Sequence, residues 1–401
     1  MINIENKENC TSCFACYNIC PVKAIEMVEN SEGFKYPKVN RDKCIKCGLC
    51  DRICPVINNK NKEGNSEKPK VIAAYTKDNF IRLDSTSGGA FSEIAKKVYK
   101  RNGYVCGAIY NKEWGVEHFI SNDIKDLENL RSSKYLQSDI NDIFSQIKKL
   151  LENGKEILIC GSPCQIAGLT NFLQKDYPNL YTLDFICRGM NSPKIFKGYV
   201  KYLEDKYKSK AKRIKFKHKI HGWHNFSTKI DFENGKSYIG GRYEDSYMRG
   251  YLKFNAFMRP SCYKCKFKGL PRRADITLAD FWGIERINPK MDQNKGTSMI
   301  YINSEKGQRI FDEIKENIIY EEIPSEEAFK ENISMKESVE MTKERKGVFE
   351  NIDKLSYKEL SDKYFPEPSM VQRIKIRMNN NKAMVFARNI KRRIVIKMKG
   401  S

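Results

Sequence analysis

No stretch of the 401 residues approaches the twenty or so apolar residues that a membrane-spanning helix needs, and the mean hydropathy is -0.63. A chain without a transmembrane segment is expected. Met1 to Asn9 lacks both the basic start and the apolar core of a secretory signal, so a cytoplasmic location is expected. No G-x-G-x-x-G follows a predicted strand, so a Rossmann dinucleotide site is not supported. Histidine is scarce: of four, three fall in His218-Lys-Ile-His221-Gly-Trp-His224. Their spacing is not that of a helix face, and no Glu lies at zincin spacing. These polar, partly cationic residues are expected to line a pocket for an anionic ligand. From about residue 306 onward Cys and His are absent, and the chain reads as helical and charged, without legible chemistry.

Acidic residues are also in deficit, 50 Asp and Glu against 73 Lys and Arg, a net charge of +23. Such an excess suits an acidic electron-transfer partner, an anionic substrate, a membrane face or nucleic acid. One basic stretch runs from Lys206 to Lys219, and a second, with no acidic residue, from Arg373 to Lys399. The tail has a single aromatic residue, Phe386, and no aromatic interleaving among its basic residues, which argues against nucleic acid.

Cysteine, by contrast, is abundant: fourteen residues in a chain without an export signal imply thiolates that serve metals or redox chemistry. Cys10-x2-Cys13-x2-Cys16-x3-Cys20-Pro21 is repeated as Cys44-x2-Cys47-x2-Cys50-x3-Cys54-Pro55. In this bacterial ferredoxin pattern three close thiolates hold one cubane and the fourth, before proline, crosses to the other. Cys10, Cys13, Cys16 and Cys54 are thus expected to hold one 4Fe-4S cluster, and Cys44, Cys47, Cys50 and Cys20 the second. Zinc would leave the third cysteine of each run and the Cys-Pro ending without a use.

After this module, residues 1–60, a polar segment with Gly64 and Pro69 reads as a linker over 61–70. A strand at Val71 to Tyr75 precedes Ser87-Gly88-Gly89, where bare glycine backbone at a helix start could admit an anionic group or simply form a capped turn. Tyr104 to Tyr110 reads as a strand with Cys106 a small core residue. Glu156 to Cys160 reads as a strand running through Gly161-Ser162-Pro163-Cys164 into a helix, with Ser162 as cap and Pro163 at the first position. Cys164 then falls in the first turn, where the helix dipole would lower a thiol pKa. A strand from Leu180 to Ile186 delivers Cys187-Arg188-Gly189 at its end, and Arg213 to Lys217 alternates as a half-exposed strand. Cys262-x2-Cys265 cannot complete a site alone, but with Cys164 and Cys187 four thiols are available for a third cluster, a zinc ion or a rubredoxin-like iron.

Together, Ser87-Gly88-Gly89-Ala90-Phe91-Ser92, Ser133-Lys134-Tyr135-Leu136-Gln137-Ser138, Gly161-Ser162-Pro163-Cys164-Gln165, Cys187-Arg188-Gly189 with Ser192-Pro193, Cys262-x2-Cys265 and Asp280-Phe281-Trp282-Gly283 resemble the beta subunit family of coenzyme F-420 hydrogenases and dehydrogenases. The resemblance covers roughly residues 71–305. It implies a core cluster on Cys164, Cys187, Cys262 and Cys265, and FAD near Ser87, Gly88, Gly89 and Lys134. The family carries Cys-His-Gly where this chain has Cys187-Arg188-Gly189, and Arg188 could bind an anion but could not act as a general base.

The expected fold class is mixed α/β: a two-cluster ferredoxin-like module, a mixed-sheet flavin-binding core over 71–305 and a helical, basic region over 306–401. The expected function is an oxidoreductase that passes electrons between 4Fe-4S clusters and FAD, with hydride transfer to or from a small, anionic, conjugated substrate such as the deazaflavin coenzyme. The alternative is a non-catalytic relay subunit of a larger redox complex; either reading calls for a redox partner protein.

Overall fold

The computed structural model describes residues 2–3, 6–58, 68–330 and 332–373. Most of the expected linker and of the basic tail, Arg373 to Lys399, lies outside the described residues. The strands are β1 Ile25–Glu29, β2 Lys35–Val39, β3 Lys70–Thr76, β4 Tyr104–Tyr110, β5 Val116–Ser121, β6 Ser138–Asp139, β7 Ile157–Cys160, β8 Leu180–Phe185, β9 Ala211–His218, β10 Ser227–Phe232, β11 Ser237–Gly241, β12 Ile276–Asp280, β13 Ser298–Ile302 and β14 Ile318–Glu322.

Among the described residues, nine of these strands form one mixed sheet in the order β14-β3-β13-β12-β8-β7-β4-β5-β6. The central four, β12, β8, β7 and β4, run parallel, with Ile157 opposite both Tyr104 and Leu180, and Leu183 opposite Ile276. The short apolar run Ile157-Leu158-Ile159 is buried throughout, as expected of a parallel strand covered on both faces. Helix Ala90–Lys100 covers one face, burying Ile94, Ala95 and Val98 with Leu158 and Leu183. Helices Ile143–Glu152 and Pro163–Leu173 cover the other, burying Ile147, Ile166 and Leu169 with Ile157 and Ile159. Cys106 is fully buried, as expected of a small core residue.

The sheet continues past residue 305, where the core was expected to end: β14 pairs antiparallel with the outer side of β3 and forms the sheet edge. β9, β10 and β11 form a separate antiparallel sheet whose apolar face packs with helix Pro193–Tyr207 and with Tyr357 and Leu360 of helix Tyr357–Tyr364.

The N-terminal module is a β1–β2 hairpin with helices Ala15–Ile19 and Leu49–Arg52. Ile2, Ile25 and Val56 are buried around Cys16 and Cys54, while Phe14 and Ile53 pack into the apolar layer of Ile143, Ile147 and Phe172. Arg259, 1% exposed, pins it in place. Its guanidinium donates to Cys10 O at 2.7 Å, Lys35 O at 3.0 Å and Gln137 Oε1 at 3.0 Å, and lies 4.1 Å from the Tyr36 ring centroid. Arg345 adds a bond to Glu32 Oε2 at 2.8 Å.

Candidate functional site

Each cysteine run places its first three thiols in one loop and short helix and its fourth at the far end of the module. Cys10, Cys13, Cys16 and Cys54 line one cavity together with Phe14, Ala15 and Val56. Cys20, Cys44, Cys47 and Cys50 line a second with Ile25, Val39 and Leu49. The structure therefore gathers the thiols in crossed sets. Backbone N–H groups point at the sulfurs: Ser12 to Cys10 at 3.4 Å, Ala24 to Cys20 at 3.2 Å and Ile2 to Cys50 at 3.3 Å. Donors placed in this way stabilise thiolates bound to iron.

The core thiols converge from three segments. Cys164 opens helix Pro163–Leu173, whose start is set by Pro163 at the first position and by the Ser162 N–H donating to Gln165 Oε1 at 2.9 Å. Cys187 follows β8, and Cys262 and Cys265 occupy the loop before β12. Gly189, at φ +152°, lets the chain pass: a Cβ there would come within 2.4 Å of Met258 Sδ and 3.1 Å of Cys262 Cβ. Met190 N–H reaches Cys262 Sγ at 3.3 Å, and Phe267 N–H reaches Cys265 Sγ at 3.4 Å.

The dipole of helix Pro163–Leu173 does not govern Cys164 as expected. Burial pushes its thiol up to about 12, against the smaller opposing effect of the Ser162 hydroxyl, and burial likewise pushes Cys262 up to about 11. A buried neutral thiol is not a nucleophile at neutral pH; a bound metal must displace its proton. Among the described residues no three thiol sulfurs lie within 4.8 Å of one another.

The inner N-terminal set and the core set are neighbours. Cys164 is near enough to Cys13 to help push its thiol up, and a Cβ at Gly168, one turn after Cys164, would meet Cys13 Sγ at 3.0 Å. The outer set faces solvent, with Cys47 exposed.

The residues expected beside FAD lie together at one end of the sheet. The loop with Ser87, Gly88 and Gly89 is stitched to the loop with Lys134 by Ser133 N–H donating to Thr86 Oγ1 at 2.9 Å. The glycines serve the protein's own packing: a Cβ on Gly88 would lie 2.3 Å from Ala74 O, and one on Gly89, at φ +93°, 2.7 Å from Thr76 Cγ2. Ser87 Oγ donates to Thr297 O at 2.7 Å. Helix Ala90–Lys100 begins at Gly89 with no side-chain cap. Burial lowers the Lys134 ammonium to about 7, and it donates to Asn129 O at 2.6 Å, Arg131 O at 3.1 Å and Leu130 O at 3.3 Å.

The cations expected to face an anionic substrate are engaged internally. Lys215 and Lys217 are buried, contrary to a half-exposed strand with its lysines outward, because Asp84 and Asp280 lie within their reach. Lys219 donates to Arg82 O at 2.5 Å, Ser87 O at 2.6 Å and Lys295 O at 2.8 Å. Arg188 donates to Asn255 Oδ1 at 2.7 Å and Leu252 O at 3.1 Å. Nor do the three clustered histidines share a pocket: His218 Nδ1 accepts from Ile220 N–H at 3.2 Å, His221 is exposed, and His224 pairs with Asp292 at 2.8 Å.

Sequence reading missed His118, which no motif marks. It is buried on β5, its Nε2 3.2 Å from Cys160 O, and burial pushes its pKa down to about 4 from 6.5. The folded state favours the neutral ring, so this contribution to stability is complete above pH 6.5 and is lost as the pH falls toward 4. From pH 7 to pH 5 the loss is about 2 kcal/mol. His118→Gln should abolish that portion of the pH dependence of the guanidinium unfolding midpoint, and an unchanged slope would refute the assignment.

Three comparisons place these features among known proteins. Residues 154–328 match the family model for the C terminus of the coenzyme F420 hydrogenase/dehydrogenase beta subunit, and residues 9–58 match the 4Fe-4S dicluster domain. No curated protein matches the chain. A solved chain of the xenon-derivatised F420-reducing [NiFe] hydrogenase complex from Methanosarcina barkeri is 17% identical, with a TM-score of 0.45 over 74% of this chain and 91% of that one. Among the described residues no helix is long and apolar enough to cross a membrane. The two cysteine runs thus lie inside the match to the 4Fe-4S dicluster domain, and the four core cysteines inside the match to the C terminus of the coenzyme F420 hydrogenase/dehydrogenase beta subunit, to which this part of the chain is similar.

Proposed function

We propose that the chain is a FAD- and 4Fe-4S-dependent oxidoreductase that exchanges electrons with a redox partner protein and a hydride with a small conjugated substrate of the deazaflavin type. The observation that carries this reading is the serial placement of three thiol sets: an outer set with Cys47 exposed, a buried set around Cys13, and a core set whose Cys164 lies one turn before Gly168, against which Cys13 packs.

The chain's own residues would do three things. Cys10, Cys13, Cys16 and Cys54, then Cys20, Cys44, Cys47 and Cys50, and finally Cys164, Cys187, Cys262 and Cys265 would each hold a cluster, their N–H donors offsetting negative charge on sulfur. Ser87, Gly88, Gly89 and the uncapped start of helix Ala90–Lys100 would hold the FAD, with Lys134 beside it. When bound, FAD would convert single electrons to hydride. Packing of the N-terminal module on helix Pro163–Leu173 would keep water from between the inner and core sets.

A second reading, a non-catalytic relay subunit, is favoured by the internal pairing of Lys215, Lys217, Lys219 and Arg188, which leaves none of those cations free for a substrate. Anaerobic purification followed by assay of iron, acid-labile sulfide and released flavin on one sample separates the two. About twelve irons with one FAD per chain supports the oxidoreductase, whereas the same iron without flavin supports the relay. Zinc in place of the third set of four irons overturns the core-cluster assignment.

A further inference from the structure

Three donors from separate segments, none of them in a thiol set, meet near the start of β10. A ring nitrogen of His224, a carboxylate oxygen of Glu285 and one of Asp292 lie within 4.8 Å of one another. His224 precedes β10, Glu285 stands in the short helix Ile284–Ile287, and Asp292 follows the turn Pro289–Met291. We propose that these three side chains bind a first-row divalent cation, a site distinct from the iron–sulfur and flavin residues.

The site is built rather than incidental. Asn294 clamps both sides of it: its backbone N–H donates to Asp292 Oδ1 at 2.9 Å, its Oδ1 accepts from His224 N–H at 3.0 Å, and its O accepts from Trp223 N–H at 2.9 Å. Gly222, at φ +85°, makes room for that clamp, since a Cβ there would fall 2.1 Å from Asn294 Nδ2. Two of the three donors are therefore held by one residue. The third supplies an independent sign. Glu285 Oε1 meets Arg286 at 3.0 Å, but its Oε2 is buried and has no hydrogen-bond partner among the described residues. A carboxylate oxygen shut away from water without a donor is costly unless a cation satisfies it.

The chemistry of the set narrows the ligand. Two carboxylates and one imidazole give borderline-to-hard donors without sulfur, a set suited to manganese, iron or zinc in the divalent state. The three side chains are 14% to 34% exposed, so water can complete the coordination. The 2.8 Å contact between His224 Nε2 and Asp292 Oδ2 is the bond that a cation would replace. The neighbouring Trp223 stacks on Trp282 with centroids 4.6 Å apart and planes at 6°. Binding would thus brace the turn that carries Asp280 and Trp282.

Mn2+ is the probe of choice, because thiolates discriminate against it. Titration of the iron-loaded chain followed by electron paramagnetic resonance of free Mn2+ should show one saturable site per chain. Glu285→Gln and His224→Ala should each weaken it at least tenfold, with iron and sulfide content unchanged as the measure of an intact fold. Absence of saturable binding overturns the proposal, as does binding of undiminished affinity in both variants.

Discussion

Replacing Cys54 by alanine should remove about four irons per chain, the complement of the cavity that Cys10, Cys13 and Cys16 also line. The decisive comparison uses pairs. Cys54→Ala with Cys13→Ala should lose no more iron than either alone, because both empty one cavity. Cys54→Ala with Cys50→Ala should lose about eight, because Cys50 lines the other. Had each run served its own cluster, the two double variants would exchange results. Iron and sulfide analysis with the paramagnetic signal of the reduced protein reads the outcome directly. The effect is large because a cluster is also folding energy: Phe14 and Ile53 bury their side chains outside the module, and the core left within it, Ile2, Ile25 and Val56, is built around Cys16 and Cys54 themselves.

The second large effect concerns a buried ion pair under the core thiols. Arg272 and Asp184 are 3% and 2% exposed at their side chains and meet at 2.9 Å. Arg272 also donates to Phe267 O at 3.2 Å, two residues beyond Cys265, and Thr277 Oγ1 donates to Asp184 Oδ1 at 2.5 Å. The pair thus fastens the Cys262–Cys265 loop to the end of β8, from which Cys187 emerges. Arg272→Met strands a buried carboxylate and should cost about 3–5 kcal/mol. Removing the charge as well, in Asp184→Asn with Arg272→Met, should recover more than half of that loss, since a neutral pair carries little desolvation penalty. Guanidinium unfolding followed by far-ultraviolet circular dichroism gives both values. A loss below about 1 kcal/mol in the single variant, the size of a solvent-screened pair, would show that the pair is not a buried fastening.

What the sequence determined by itself was chemistry that depends on spacing along the chain. The C-x2-C-x2-C-x3-C-P repeat places three thiols of each run within reach of one cubane and leaves the fourth for the other, and Ser162-Pro163 starts a helix by local backbone preference. The apolar runs that became β3, β7 and β8 were legible for the same reason. Only the tertiary structure decided the environments. Alternation at Arg213 to Lys217 reads as a surface strand because the pattern contains no record of Asp84 or Asp280, far away in sequence, which make burial of Lys215 and Lys217 tolerable. Helix-start logic lowers the Cys164 pKa, yet burial of the thiol outweighs it in the folded chain. Ser87-Gly88-Gly89 looks the same whether glycine admits a ligand or a strand, and the short distance from Gly88 to Ala74 shows the strand. Arg259, Arg272 and His118 sit in no motif, because their roles consist of partners drawn from distant segments. A property of one segment can be read in order along the chain, whereas burial, pairing and proton affinity are sums over neighbours that only folding brings together.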